Sequence, residues 1–427
     1  MIDMRTKPPS RKTSLLKFSR GFLLSFSMLI CLDVLFMFIC YLENTNLRAE
    51  IRRPDFKKLI HFYRGTQLNY ADVLNHMLLI EHGYEKIDTR ALNFDIRTER
   101  RNWVYPPLYP TLARWLNTIV KSPFWSLWIL NQLFLLSIFV GFYYWSKKKI
   151  HDDERRLASW LVLFFFILSP LCYFINFIIL PAILLALIFF SLRKWLASPG
   201  ENKTSFWVLI VSSFLIGFSR FQGMLVNASL LVLIFIIIIW YKKSLGIGRV
   251  ALLSSANILP FLLTLMIFKY YANDPFAWWK SQSGWGITFS WPWRPIVSYW
   301  KSGFIFNLAS DDLFFTTFRF LVFSVFAVLA VKKIVGQKNF IQDFVARRYH
   351  ESSVNLFFIA ISFGLLVLPF LTTILVAAHR LMTLAFLIIV IWFEQRGRTS
   401  VFLVSFLIFV RVVEFTLFFQ GLKVFIW

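Results

Sequence analysis

Runs of roughly 20 consecutive apolar residues recur from residue 21 to residue 419, and they leave the chain little choice of fold. A run of that length is what a helix needs to cross the hydrocarbon core of a bilayer. In lipid, each backbone N–H and C=O must be satisfied inside its own segment, so the run becomes a helix. Segments of this kind lie near 21–41, 126–146, 158–176, 178–194, 206–223, 225–241, 250–270, 312–331, 353–372, 380–393 and 400–419. They predict an all-α polytopic membrane protein with about eleven transmembrane helices. Composition agrees: 58% of residues are hydrophobic and only 16% charged, against roughly 45–50% and 25% in a soluble domain. An ordinary soluble enzyme and a disordered chain are thereby excluded. The net charge of +24 invites a nucleic-acid reading, but such a binder joins its charge to a polar surface. Here the charge is threaded between apolar runs, so no nucleic-acid partner is expected.

The distribution of Lys and Arg then orients the chain. Basic residues crowd the N-terminal 1–20 segment and alternate loops, which carry Lys147, Lys148 and Lys149, then Arg193, Lys194 and Lys203, then Lys242, Lys243 and Arg249, then Lys332 and Lys333, then Arg396 and Arg398. The positive-inside rule makes these loops cytoplasmic, with the N-terminus inside and the C-terminus outside. The first span, 21–41, reads as a signal anchor, with no small-residue cleavage site. Residues 42–125 form a long extracytoplasmic loop carrying short surface helices. Residues 126–427 form a multi-span domain interrupted by an outer loop at 271–311. That loop holds Trp278, Trp279, Trp285, Trp291, Trp293 and Trp300, a residue type that prefers the membrane–water boundary. Cys31, Cys40 and Cys172 lie in or beside apolar runs without metal or disulfide spacing.

Ionisable residues inside spans are costly and point to function. Asp33, Arg220, Arg319, Arg380, Arg411 and Glu414 all fall in the outward half of their expected spans. The arginines suit a phosphate held at membrane depth, although Arg411 and Glu414, three apart, can equally pair with each other. In the first loop, Val73 to Ile80 fits a short helix along the membrane surface, with Asp72 as an acid at its cap and Gly83 closing its end. On those local features alone Asp72 reads as a capping residue. His76 and His82, six apart, fall on different faces of that helix and make a poor metal pair. Further on, Pro106, Pro107 and Pro110 predict a rigid extended turn that excludes helix. No phosphate loop, nucleophile elbow or zinc-protease motif is present.

Four segments, in order, resemble the phosphatidylinositol-glycan class V family of GPI mannosyltransferases and its bacterial relatives. Asp72 followed by His82-Gly83-Tyr84 is similar to that family's Trp-Asp…Glu-His-Gly-Tyr. Tyr105-Pro106-Pro107-Leu108-Tyr109-Pro110 resembles Phe-Phe-Pro-Leu-Tyr-Pro, and Ser219-Arg220-Phe221-Gln222-Gly223 resembles Arg-Ser-Asn-Gly. Gln282-Ser283-Gly284-Trp285-Gly286 with Ser290-Trp291-Pro292-Trp293 is similar to a Gln…Trp-Gly…Pro-Trp stretch of the bacterial members, and a fifth, shorter match is His379-Arg380, similar to an Arg-Tyr pair. The chain departs from the pattern at Ala71, Asn75, Gln222 and Ile287.

The resemblance implies a GT-C-like glycosyltransferase whose donor is a polyprenyl- or dolichyl-phosphate sugar, usually mannose, and whose acceptor is an extracytoplasmic glycolipid or glycan. It raises Asp72 from a cap to the general base of an inverting transfer. Arg220, Arg380 and Arg319 are the expected ligands of the leaving phosphate, with His82, Tyr84, Gln222, Tyr109 and Trp285 as further substrate contacts. No cofactor and no metal is expected. A GT-C enzyme for another lipid-linked sugar shares all these features. A flippase of lipid-linked sugars would set its charges nearer mid-membrane, and a non-catalytic membrane subunit would need none of the chemistry. The compact outer loops point to a bacterial plasma membrane, or to the endoplasmic reticulum in a eukaryote.

Overall fold

The computed structural model describes residues 21–31, 33–34, 71–84, 86, 105–150, 156, 159–160, 179–198, 202–241, 245–281, 290–291, 293–294, 297, 312–337, 339–346, 351–367 and 387–394. The side chains of residues 71–72, 312–319, 351, 389 and 393–394 are not among them. Among these residues every regular element is a helix. In chain order they are α1 (Gly21–Cys31), α2 (Ala71–His82), α3 (Leu108–Val120), α4 (Pro123–Lys149), α5 (Ile179–Ala197), α6 (Lys203–Ser219), α7 (Phe221–Ile239), α8 (Ile247–Ala272), α9 (Ala277–Lys280), α10 (Asp312–Val335), α11 (Phe340–Val345), α12 (Glu351–Val367) and α13 (Leu387–Glu394).

Four of them, α4, α5, α7 and α8, are long and apolar enough to cross a membrane, and α1, α6 and the 352–367 stretch of α12 are shorter apolar helices. The chain is therefore an all-helical membrane protein. The spans expected at 158–176 and 400–419 lie outside the described residues, as does most of 380–393, so the described helices do not reach the expected eleven.

Local chemistry explains where these helices start and stop. α4 opens on Pro123 at its first position, where the missing N–H costs nothing, and closes on Lys147, Lys148 and Lys149, whose charges complement the negative end of the helix dipole. α5 carries Lys194 in its last turn and α10 carries Lys332 and Lys333 in its own. α3 corrects the expectation of an extended proline turn. Pro107 sits at its N-cap and Pro110 is its third residue. In a first turn no proline N–H is required, so Pro106, Pro107 and Pro110 start a helix instead of excluding one.

α6 is the hub of the packing. It lies against α5, α7 and α8 and also touches α3. α10, α12 and α13 pack on one another, and α12 joins them to α5 and α7. Most of these helices share one continuous core containing Phe124, Leu185, Trp195, Leu209, Phe323 and Phe358. Asp33, expected as a membrane-depth charge, is buried just beyond α1 and accepts a hydrogen bond from Gln132 Nε2 of α4 at 3.0 Å. This bond ties the first span to the bundle.

The largest revision concerns Arg220. The expected spans 206–223 and 225–241 put it inside a helix. Instead α6 ends at Ser219, Arg220 is extended (φ −164°, ψ 164°), and α7 begins at Phe221. One residue reverses the chain. Such a reversal needs the two backbones almost in contact, and Gly223 supplies this: a Cβ there would overlap the Ile216 carbonyl oxygen. Arg220 thus stands at a corner, at the opposite end of α6 from Lys203.

Candidate functional site

The site is built from α2 inward. Val73, His76, Leu79 and Ile80 form its buried face, while Leu74, Leu78, Glu81 and His82 are exposed. His76 lies between two tyrosine rings, 4.5 Å from Tyr105 and 5.4 Å from Tyr109, edge-on to both. Asn75 Nδ2 donates to the Tyr105 hydroxyl at 3.0 Å. These contacts pin α2 against α3 and α4. Asp72 is the second described residue of this helix, and the residues before Ala71 lie outside the described ones. The Asp72 side chain lies outside the described residues.

α2 closes as expected at Gly83. Its φ is +75°, and its N–H donates to the Leu79 carbonyl at 3.0 Å. Glycine takes this left-handed geometry without penalty, whereas a Cβ is strained there. Gly83→Ala should therefore destabilise the fold by about 1–2 kcal/mol, read as a lowered unfolding midpoint of the detergent-solubilised protein. An unchanged midpoint would show that the turn relaxes.

The chain turns at Gly83 and delivers Tyr84 to the bundle. Its hydroxyl donates to the Tyr105 carbonyl, and its ring lies 5.5 Å from Phe268 and 5.6 Å from Tyr271, near the end of α8. Burial, and secondarily the neighbouring Tyr271, pushes the Tyr84 hydroxyl well above its ordinary pKa. It stays protonated and acts as a donor. Tyr109 is likewise held neutral by burial. Its hydroxyl donates to the Leu127 carbonyl at 3.4 Å.

The Arg220 corner arrives at the same place. Phe221 packs 5.3 Å from Trp278 and 5.2 Å from Trp279. Tyr84, Phe221 and Met224 all lie against one small core of Phe268, Ala272, Ala277 and Trp278. Three segments far apart in sequence, at 84, at 220–224 and at 268–278, therefore converge. Around them, Lys86 Nζ sits 4.5 Å over the Tyr270 ring, and Lys280 pairs with Asp274 at 2.5 Å. Asp274 also accepts the Phe276 N–H at 2.9 Å, which fixes the start of α9. Arg220 and Gln222 are half-buried at this corner. The first turn of α7 has no side-chain cap, and the buried Trp278 Nε1–H has no acceptor among the described residues. A guanidinium, an indole N–H and an uncapped helix start give a corner that is rich in donors and suited to an anion.

Of the expected site residues, the structure gathers Tyr84, Arg220 and Gln222 at this corner. His82 is exposed beside Glu81, with Nε2 3.7 Å from the carboxylate. Tyr109 is a buried packing residue edge-on to His76. Arg319 lies on α10, with its side chain outside the described residues, and Arg380 and Trp285 also lie outside them, as do Arg411 and Glu414. Sequence reasoning placed Trp278 only in a general Trp belt and gave Phe221, Met224 and Phe268 no role. The one available signal was that Phe221 follows the arginine and Trp278 opens the Trp-rich loop. Among the described residues no group of three His, Cys, Asp or Glu side chains could hold a metal. No protein-family model, no curated protein and no solved structure matches the chain.

Proposed function

We propose that the chain is a membrane-embedded glycosyltransferase that moves a sugar, mannose by the family resemblance, from a polyprenyl-phosphate donor to an extracytoplasmic glycolipid or glycan acceptor. The observation that carries this reading is the meeting of Tyr84 with the Arg220 corner. The segment containing Asp72 and Tyr84 and the segment containing Arg220 and Gln222 are the two most chemically distinctive stretches of the sequence. They share one aromatic cluster at the end of α6 away from Lys203. In this scheme Asp72, on a pinned helix, takes the proton of the acceptor hydroxyl as that oxygen attacks the anomeric carbon. The lipid phosphate leaves from the opposite face. Arg220, with Arg319 and Arg380, and the Trp278 N–H stabilise the charge it gains. Tyr84 and Gln222 orient the sugar, and the aromatic cluster covers the lipid-proximal side.

The test is sugar transfer in membranes containing the full chain, using a radiolabelled polyprenyl-phosphate mannose. Arg220→Ala should weaken donor use by about 10–100-fold, the worth of a charge-assisted hydrogen bond, with acceptor dependence unchanged. Equal effects on donor and acceptor would remove Arg220 from the phosphate. Transport of the donor without cleavage would replace the enzyme reading by a flippase.

A further inference from the structure

Below the Arg220 corner, α6, α7 and α8 cross around a knot of buried polar groups that the proposed chemistry does not use. Pro260 lies inside α8. Lacking an N–H, it leaves the Ala256 carbonyl without its helical donor. α6 comes close enough that a Cβ on Gly217 would lie 2.6 Å from Pro260 Cβ and 2.7 Å from Asn227 Nδ2. Asn227 Nδ2 donates to the Ser213 carbonyl at 2.9 Å and to the Asn257 carbonyl at 3.3 Å. Asn257 Nδ2 donates to the Leu253 carbonyl at 2.7 Å. These bonds fix both amides: each nitrogen faces carbonyl oxygens, so each Oδ1 points elsewhere.

Asn227 Oδ1, Asn257 Oδ1 and Ser213 Oγ are all buried and have no hydrogen-bond partner among the described residues. Ser213 differs in this from three other helical serines. Ser137, Ser229 and Ser324 satisfy themselves on the carbonyl four residues earlier, at 2.7, 2.9 and 2.6 Å. These three groups sit on three touching helices tied together by the Asn227 amide, and each carries the cost of a missing hydrogen bond.

We infer that this crossing is a binding site for one water molecule. Two acceptor oxygens and one hydroxyl match a water that donates twice and accepts once, the usual number of bonds for a buried water. A cation fits poorly, because Ser213, Asn227, Asn257 and the Ala256 carbonyl offer only neutral oxygens, and an uncompensated charge at this depth is expensive. The water joins α6 and α7 to α8 at the level of the proline break. It thereby sets the course of the outer part of α8, which carries Phe268 and Tyr271 to Tyr84.

The test is thermal unfolding of the detergent-solubilised full-length protein. Ser213→Ala removes a hydroxyl that bonds to no protein atom. With the water present, the variant should unfold about 1–3 °C lower; an unchanged or raised midpoint would overturn the proposal. Exchanging sodium for potassium or choline chloride at equal ionic strength should leave the wild-type midpoint unchanged. A sodium-specific shift would overturn it in favour of a cation. A density map fine enough to show ordered water should have a peak within hydrogen-bond distance of Ser213 Oγ and both Oδ1 atoms. Direct closure of Ser213 Oγ onto an Oδ1 would overturn it.

Discussion

Replacing Asp72 by asparagine should lower sugar transfer from a polyprenyl-phosphate donor by about 10²–10⁴-fold, the range attributed to a general base, while the protein accumulates in membranes at its normal level. Asparagine keeps the size and the hydrogen-bonding oxygen of aspartate but cannot accept a proton at neutral pH. The separation of activity from folding rests on where the residue stands. Asp72 is the second described residue of α2, a helix anchored by other side chains. The helix is held by His76 between Tyr105 and Tyr109 and by the Asn75 bond to Tyr105, contacts that the substitution leaves in place. Transfer assays and unfolding midpoints on the same preparation distinguish the outcomes. Normal transfer by the variant would return Asp72 to a purely helix-stabilising role. Loss of transfer together with loss of folded protein would show that the charge is structural.

The second large effect is expected at Gly223. Its position would bring any Cβ onto the Ile216 carbonyl oxygen. That oxygen belongs to the backbone of α6 and accepts a bond from Ser219 Oγ at 2.6 Å, so it cannot swing aside as a side chain would. Gly223→Ala should therefore force α6 and α7 apart at the Arg220 corner. The cost should reach or exceed the upper end of the roughly 1–3 kcal/mol typical of overpacking. Displacing Phe221 also pulls it from Trp278 and Trp279, so donor use should fall with stability. Size-exclusion profiles and unfolding midpoints measure the first effect, and transfer assays the second. A variant with wild-type stability would mean that the helices pack less tightly at this corner.

Much of the architecture was legible in the sequence because lipid enforces it. Long apolar runs such as Pro123–Lys149 and Ile247–Ala272 have no alternative to helix, and lysines such as Lys147 and Lys332 mark helix ends through the dipole and through topology. Gly83 was legible for a local reason, since a glycine directly after an amphipathic stretch closes it in the left-handed conformation. Other local rules misled. The prolines at 106, 107 and 110 looked like an extended connector, yet they begin α3, because a helix's first turn needs no N–H from them. Arg220 looked like a charge within a span, because a one-residue reversal leaves no polar loop for a hydropathy reading to detect.

What the sequence determined by itself is the class: a helical membrane chain with a chemically distinctive segment around Asp72 and a second around Arg220. Only the tertiary structure decided which of these residues act together. Tyr84 and Phe221 pack against one core containing Phe268 and Trp278, while Tyr109 is consumed in packing α2 and His82 is left exposed. The physical reason is that helix formation depends on contacts three or four residues apart, which are written in the local sequence. The corner depends instead on how closely whole helices approach one another. That distance is set by single contacts between distant residues, Gly223 against Ile216 and Gly217 against Pro260, and no local pattern encodes them.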